Sequence, residues 1–144
     1  MAGRQILLVE DSANDIELTM TTLASCVVNQ VDVARDGAEA LDYLFRRGVF
    51  AGRTTGSPVL VMLDLKIPKI DGLEVLRAIK ADPTLKLLPV VVLTSSREQR
   101  DVVQSYELGV NAYVVKPVEF EEFAEAVKQL GLFWLLLNEP PPVA

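Results

Sequence analysis

Val59-Leu60-Val61-Met62-Leu63-Asp64 is the stretch on which the fold turns. Its apolar part is long enough for a strand, too short for a buried helix, and shows no polar alternation. A strand with one face in water alternates, whereas one covered on both faces does not. Cover on both faces is the mark of a parallel sheet packed between helices. The run then stops abruptly at a carboxylate.

Working outward, the runs Ile6 to Val9, Val90 to Leu93 and Ala112 to Val115 have the same character. A further run, Val31 to Ala34, contains Asp32 and reads as an edge strand. Helix-length segments with apolar residues at three- and four-residue spacing lie at 13–25, 37–47, 73–81, 97–108 and 119–130. In the last, Phe120, Phe123, Ala124, Val127 and Leu130 mark one face. Ser12-x-x-Asp15 reads as a capping-box-like start to the first helix. Asp82-Pro83 closes the third, because a residue before proline avoids the α region. Strand and helix therefore alternate as (βα)5. The expected class is α/β, a doubly wound, flavodoxin-like parallel sheet of five strands in the order 2-1-3-4-5.

Two segments stand outside this rhythm. Gly48 to Pro58 reads as a long loop before the third strand. Leu132 to Ala144 reads as an apolar helical extension that gives way to a Pro-rich tail. The expected organisation is one domain over 1–131 with the extension at 132–144 as an interface, and no attached output domain.

Composition narrows the function. With 14 Lys+Arg against 20 Asp+Glu the net charge is -6, which disfavours nucleic-acid binding. No histidine is present, removing the usual general base, the usual zinc ligand and any phosphohistidine of the chain's own. The lone cysteine, Cys26, sits in an apolar stretch and reads as a small buried thiol. Neither a signal peptide nor a membrane-length apolar run is evident, so the expected location is the cytoplasm.

In an open α/β sheet, ligands bind beyond the carboxyl ends of the strands. The first run ends in Glu10-Asp11, the third in Asp64, the fourth in Thr94-Ser95 and the fifth in Lys116-Pro117. Carboxylates gathered there repel one another by roughly 4 kcal/mol per pair at about 4 Å and an effective dielectric near 20. A cation must offset them, and Mg²⁺, or Mn²⁺, suits an all-oxygen site. Lys116 adds a fixed positive charge and Thr94 a hydroxyl. Together these could hold a transferring phosphoryl group, whose charge spreads over its equatorial oxygens.

Leu7-Leu8-Val9-Glu10-Asp11, Met62 through Gly72, Val92-Leu93-Thr94-Ser95 and Tyr113-Val114-Val115-Lys116-Pro117 resemble the response-regulator receiver family, over about residues 4 to 131. The resemblance implies that Asp64 is the phosphoacceptor for a histidine kinase. It also implies that Asp11 is a direct metal ligand, Glu10 a ligand mainly through water, and the backbone carbonyl of Lys66 a further ligand. It implies that Thr94 and Tyr113 act as switch residues, that Lys116 pairs with the phosphoryl group, that Lys116-Pro117 is cis, and that Gly72 lets the third helix start close to the site. The long loop at 48–58, Ser105 through Tyr113 and the Phe-Trp ending are similar to stand-alone receivers paired with bacterial and cyanobacterial phytochrome kinases. That narrower likeness implies a homodimer through the end of the domain, with Phe133, Trp134 and Leu136 at the interface.

Each motif alone has a duller account: a helix-start acidic pair, a turn aspartate, a cap, a loop boundary. Their conjunction at four strand ends favours the site. A haloacid-dehalogenase-type phosphohydrolase would want a second aspartate two residues after Asp64, where Lys66 stands, so a signalling phosphoacceptor is expected rather than an enzyme that turns over. Neither GxxxxGK[ST] nor GxGxxG occurs. A receiver fold whose acceptor chemistry has lapsed is the remaining alternative.

Overall fold

The computed structural model describes residues 5–24, 30–54, 56–94, 106–110, 112–116, 119, 121, 122 and 125, without the side chains of Thr94 and Val115. The strands are β1 (Ile6–Val9), β2 (Val31–Ala34), β3 (Leu60–Leu63), β4 (Val90–Thr94) and β5 (Ala112–Val115). The helices are α1 (Ala13–Ala24), α2 (Gly37–Phe45) and α3 (Gly72–Ala81), with 3-10 turns at Gly48–Phe50 and Leu85–Leu87. All strands are parallel and stand in the order β2-β1-β3-β4-β5, the expected one.

The missing polar alternation now has its cause. Ile6, Leu8, Leu60, Met62, Val91, Leu93, Ala112 and Val114 pack on one face of the sheet with Ile16 and Leu23 of α1. Leu7, Val9, Val61, Leu63, Val90 and Val92 pack on the other with Leu41 and Leu44 of α2 and Val75, Leu76 and Ile79 of α3. Successive strand residues point to opposite faces, so a sheet covered twice requires apolar residues at every position. Each large aliphatic residue buried this way contributes roughly 1.5–3 kcal/mol.

β2 is an edge strand, as Asp32 suggested, but Asp32 does more than mark an edge. Its carboxylate accepts the Tyr43 hydroxyl and the Gln30 amide. The Arg53 guanidinium lies 4.1 Å over the Tyr43 ring and donates to the carbonyls of Gly56 and Tyr43. These contacts pin the 48–58 loop against α2 and leave a groove beside β2 lined by Val31, Val33, Tyr43, Phe50 and Arg53.

Element ends differ from the sequence expectation in ways the backbone explains. α2 stops at Phe45 because Arg46 turns to φ 56, and its N–H closes on the Asp42 and Tyr43 carbonyls. α3 begins at Gly72 behind Asp71, whose side chain accepts the Leu73 N–H. A Cβ at Gly72 would stand 2.5 Å from the Asp64 carbonyl oxygen, so only glycine lets the helix start this close to the end of β3. A Cβ at Gly37 would stand 2.0 Å from the Ile70 carbonyl, a constraint with no local signature in the sequence.

Of the helix expected at 97–108, Tyr106 and Glu107 are described and helical; of that at 119–130, Glu121, Glu122 and Glu125 are. Cys26, Ser95, Pro117, the expected apolar face from Phe120 to Leu130, and Phe133, Trp134 and Leu136 lie outside the described residues. No helix among the described residues is long and apolar enough to cross a membrane.

Candidate functional site

The strand order reverses its winding at β1 and β3, and the residues that follow these two strands meet. The Asp64 N–H donates to the Val9 carbonyl at 3.0 Å, continuing the ladder one residue past its end. Glu10, Asp11 and Asp64 consequently present carboxylate oxygens that all lie within 4.8 Å of one another. Glu10 is fully buried, Asp64 is 2% exposed, and Asp11 stands on the exposed rim.

Asp64 is oriented from both sides. One oxygen accepts the Lys66 N–H at 3.0 Å, a short loop contact that fixes the carboxylate plane. The other accepts from the Lys116 ammonium at 2.9 Å. Lys116 reaches this point because β5 ends one residue earlier, beside β4. Its remaining hydrogen bonds go to Glu10 at 2.8 Å and Asp15 at 2.7 Å.

The electrostatics are unbalanced. Three carboxylates, Glu10, Asp15 and Asp64, surround the Lys116 ammonium, and a fourth, Asp11, lies beside Glu10 and Asp64. Burial pushes the Glu10 carboxyl up to about 7, against the lowering pull of Lys116 and the Ser12 N–H and with the further push of the Asp64 charge. Burial alone would lower the Lys116 pKa, but its hydrogen bonds to Asp15, Glu10 and Asp64 hold it above its usual range. Glu10, Asp11, Asp15 and Asp64 against one ammonium leave the cluster with more negative than positive charge. Oxygen donors alone, a partly open rim and surplus negative charge fit a hard divalent cation.

The other expected residues are placed less completely. The Lys66 side chain is exposed, and its backbone N–H is what meets the Asp64 carboxylate. Thr94 is the last residue of β4, in register with Val115, but its hydroxyl lies outside the described atoms. Tyr113 pairs in register with Val92 and packs, half-buried, on the face shared with α2 and α3.

Asp15 is the residue that reading the sequence missed. Its N–H does donate to the Ser12 hydroxyl, the forward half of a capping box. The return half is absent: the Ser12 N–H donates to Glu10 Oε2 instead, and the Asp15 carboxylate goes to Lys116. The available signal was its position at N3, since side chains in a first turn lean back toward the helix start and here toward the strand ends.

A profile of the family described as the response regulator receiver domain matches residues 6–128. The chain belongs to this family. It is therefore a receiver domain of two-component systems, a family of signalling phosphoacceptors. The response regulator Rcp1 of Synechocystis sp. is 42% identical over 131 residues, 90% of this chain and 88% of that protein. An Mn(2+)-bound structure of Rcp1 aligns with a TM-score of 0.77 at 39% identity, over 96% of this chain and 99% of that one. The bacteriophytochrome response regulator AtBRR is similar at 58% identity and a TM-score of 0.86, over 96% of this chain and 100% of that one. The phosphorylated cyanobacterial phytochrome response regulator RcpA is similar at 43% identity and a TM-score of 0.77, over 96% and 100%.

Proposed function

We propose that this receiver is a phosphoryl-accepting switch in which Asp64 takes its group from the phosphohistidine of a histidine kinase. One observation carries the reading: a nearly buried aspartate, held on one oxygen by a backbone N–H and on the other by an ammonium, sits inside an under-neutralised acidic cluster. An Asp64 oxygen attacks phosphorus, a P–O bond forms, the P–N bond of the phosphohistidine breaks, and its electron pair returns to the ring nitrogen. Lys116 then offers positive charge to the phosphoryl oxygens, and Thr94 offers its hydroxyl. Tyr113, on the strand beside Thr94, carries the change toward the surface near β5.

Glu10, Asp11, Asp64 and the Lys66 backbone carbonyl would hold Mg²⁺ or Mn²⁺. When bound, such a cation supplies neutralising charge beside the phosphoryl oxygens. The Mn(2+)-bound form of the relative Rcp1 supports this choice of ion. The names of AtBRR and RcpA support a kinase of the phytochrome class as partner. The receiver proper is read as 1–131, with 132–144 forming a homodimer contact through Phe133, Trp134 and Leu136.

The test is phosphoryl uptake from acetyl phosphate or an autophosphorylated phytochrome kinase, followed by intact mass with Mg²⁺ and again with a chelator. One alkali-labile phosphoryl group that requires the divalent ion is expected. Uptake that ignores the chelator, or none from either donor, defeats the reading.

A further inference from the structure

An ammonium offers three N–H donors, and in this structure Lys116 spends them on Glu10, Asp15 and Asp64 at 2.8, 2.7 and 2.9 Å. The three acceptors are not equivalent. Asp64 would become an acyl phosphate on phosphorylation, and Glu10 belongs to the carboxylates read above as metal-holding. Asp15 belongs to neither group. It is also the one acceptor on a helix, in the first turn of α1, whereas Glu10 and Asp64 follow strands.

Asp15 is moreover released from ordinary helix duty. The acidic residue three places after a capping serine normally takes the cap N–H, but here that N–H donates to Glu10 Oε2. The Asp15 carboxylate is thereby left for Lys116, although its own N–H keeps the Ser12 hydroxyl. Its side chain is 32% exposed and that of Lys116 11%, so the contact lies where water competes only in part.

We propose that Asp15 is a positioning residue that holds the Lys116 ammonium in place while the acceptor beside it changes. This rests on Asp64 being the phosphoacceptor. When Asp64 is phosphorylated, the N–H that pointed at its Oδ2 passes to a phosphoryl oxygen. Asp15 and Glu10 keep the other two, and the ammonium need not travel. The same ion pair ties the first turn of α1 to the residue that follows β5.

The variants are Asp15→Asn, which keeps size and an acceptor oxygen but loses the charge, and Asp15→Glu, which keeps the charge on a longer stem. The first readout is hydrogen exchange of the Lys116 Nζ ammonium by ¹⁵N NMR on the full chain, assigned through Lys116→Met. Asp15→Asn should speed exchange about tenfold, the factor set by loss of one charge-assisted hydrogen bond, and Asp15→Glu should recover part of it. The second readout is the rate of phosphoryl uptake from acetyl phosphate in a double-mutant cycle. Asp15→Asn should change that rate several-fold in the wild-type background and leave it unchanged in Lys116→Met. Unchanged ammonium exchange, or an effect of equal size in both backgrounds, overturns the proposal. α1 amide shifts matching wild type exclude simple unfolding of the helix start. Were wild type to take up no phosphoryl group, the phosphoacceptor reading would fall, and the exchange rates would still decide whether Asp15 holds Lys116.

Discussion

Two polar clusters are built into this sheet, one at the carboxyl ends of β1, β3 and β5 and one along the outer edge at β2. At the edge, Asp32 accepts from Tyr43 and Gln30, while Arg53 covers the tyrosine ring and ties down loop carbonyls. One carboxylate stands against one guanidinium. At the strand ends, Glu10, Asp15 and Asp64 share one ammonium with Asp11 beside them, and the fully buried Glu10 is drawn up to about 7. A cluster that the chain neutralises for itself acts as a structural tie. A cluster left with surplus charge is shaped for something brought from outside. If this contrast is right, substitutions at the edge should change stability and spare phosphoryl chemistry, and those at the strand ends should do the reverse or both.

The largest effect should come from Asp64→Asn. It is nearly isosteric and can still accept from Lys66 and Lys116, but the nucleophile is gone. Phosphoryl uptake from acetyl phosphate should fall at least about a thousandfold, on the order of 4 kcal/mol in barrier terms. The unfolding midpoint should stay the same or rise, because one repelling charge has left. Retained labelling would move the acceptor elsewhere. Lys116→Met comes next. It strips the cation from the buried Glu10 and Asp64, and removing one partner of a buried ion pair costs about 3 kcal/mol or more. Urea unfolding without divalent ions should show that loss, and added Mg²⁺ should recover part of it. Wild-type stability in the chelated variant would mean that the carboxylates do not need the lysine, and the contrast between the two clusters would fail.

How much of this could be read in the chain follows from the range of each signal. The strands were legible because double cover writes itself into consecutive residues: Leu7 and Leu8 are both apolar since they serve opposite faces. Glu10-Asp11 and Asp64 were legible through their conjunction at the ends of separate apolar runs, since each alone has a structural account. Asp15 was misread because a cap and a lysine anchor look alike at N3. What separates them is where the Ser12 N–H goes, which depends on Glu10. Asp32 was read as the sign of an edge, which is true locally, but its tie to Tyr43 was not read. Their hydrogen bond joins a strand to a helix and leaves no periodic trace. Gly37 gave no signal at all, since its obstacle is the Ile70 carbonyl on a distant loop.

The smallest effect tests the edge cluster. Tyr43→Phe removes the hydroxyl but keeps the ring under Arg53, so the loop stays covered and Asp32 keeps Gln30. A stability loss of about 1 kcal/mol is expected at neutral pH, with phosphoryl uptake unchanged. The pH dependence sharpens this. Burial first, and then the hydrogen bond to Asp32, push the Tyr43 phenol from 10.0 up to about 12. Between those values the native protein keeps a proton that the unfolded chain has released, so stability from this group is complete below pH 10 and is lost as pH rises through about 12. Urea midpoints for wild type and Tyr43→Phe should therefore converge over that interval, because the phenylalanine protein has nothing there to titrate. Lysines deprotonating in the same range act on both proteins and cancel in the difference. A gap between the two proteins that stays constant with pH would show that the hydroxyl is not held neutral by Asp32, and that the β2 edge is not the self-sufficient cluster the contrast requires.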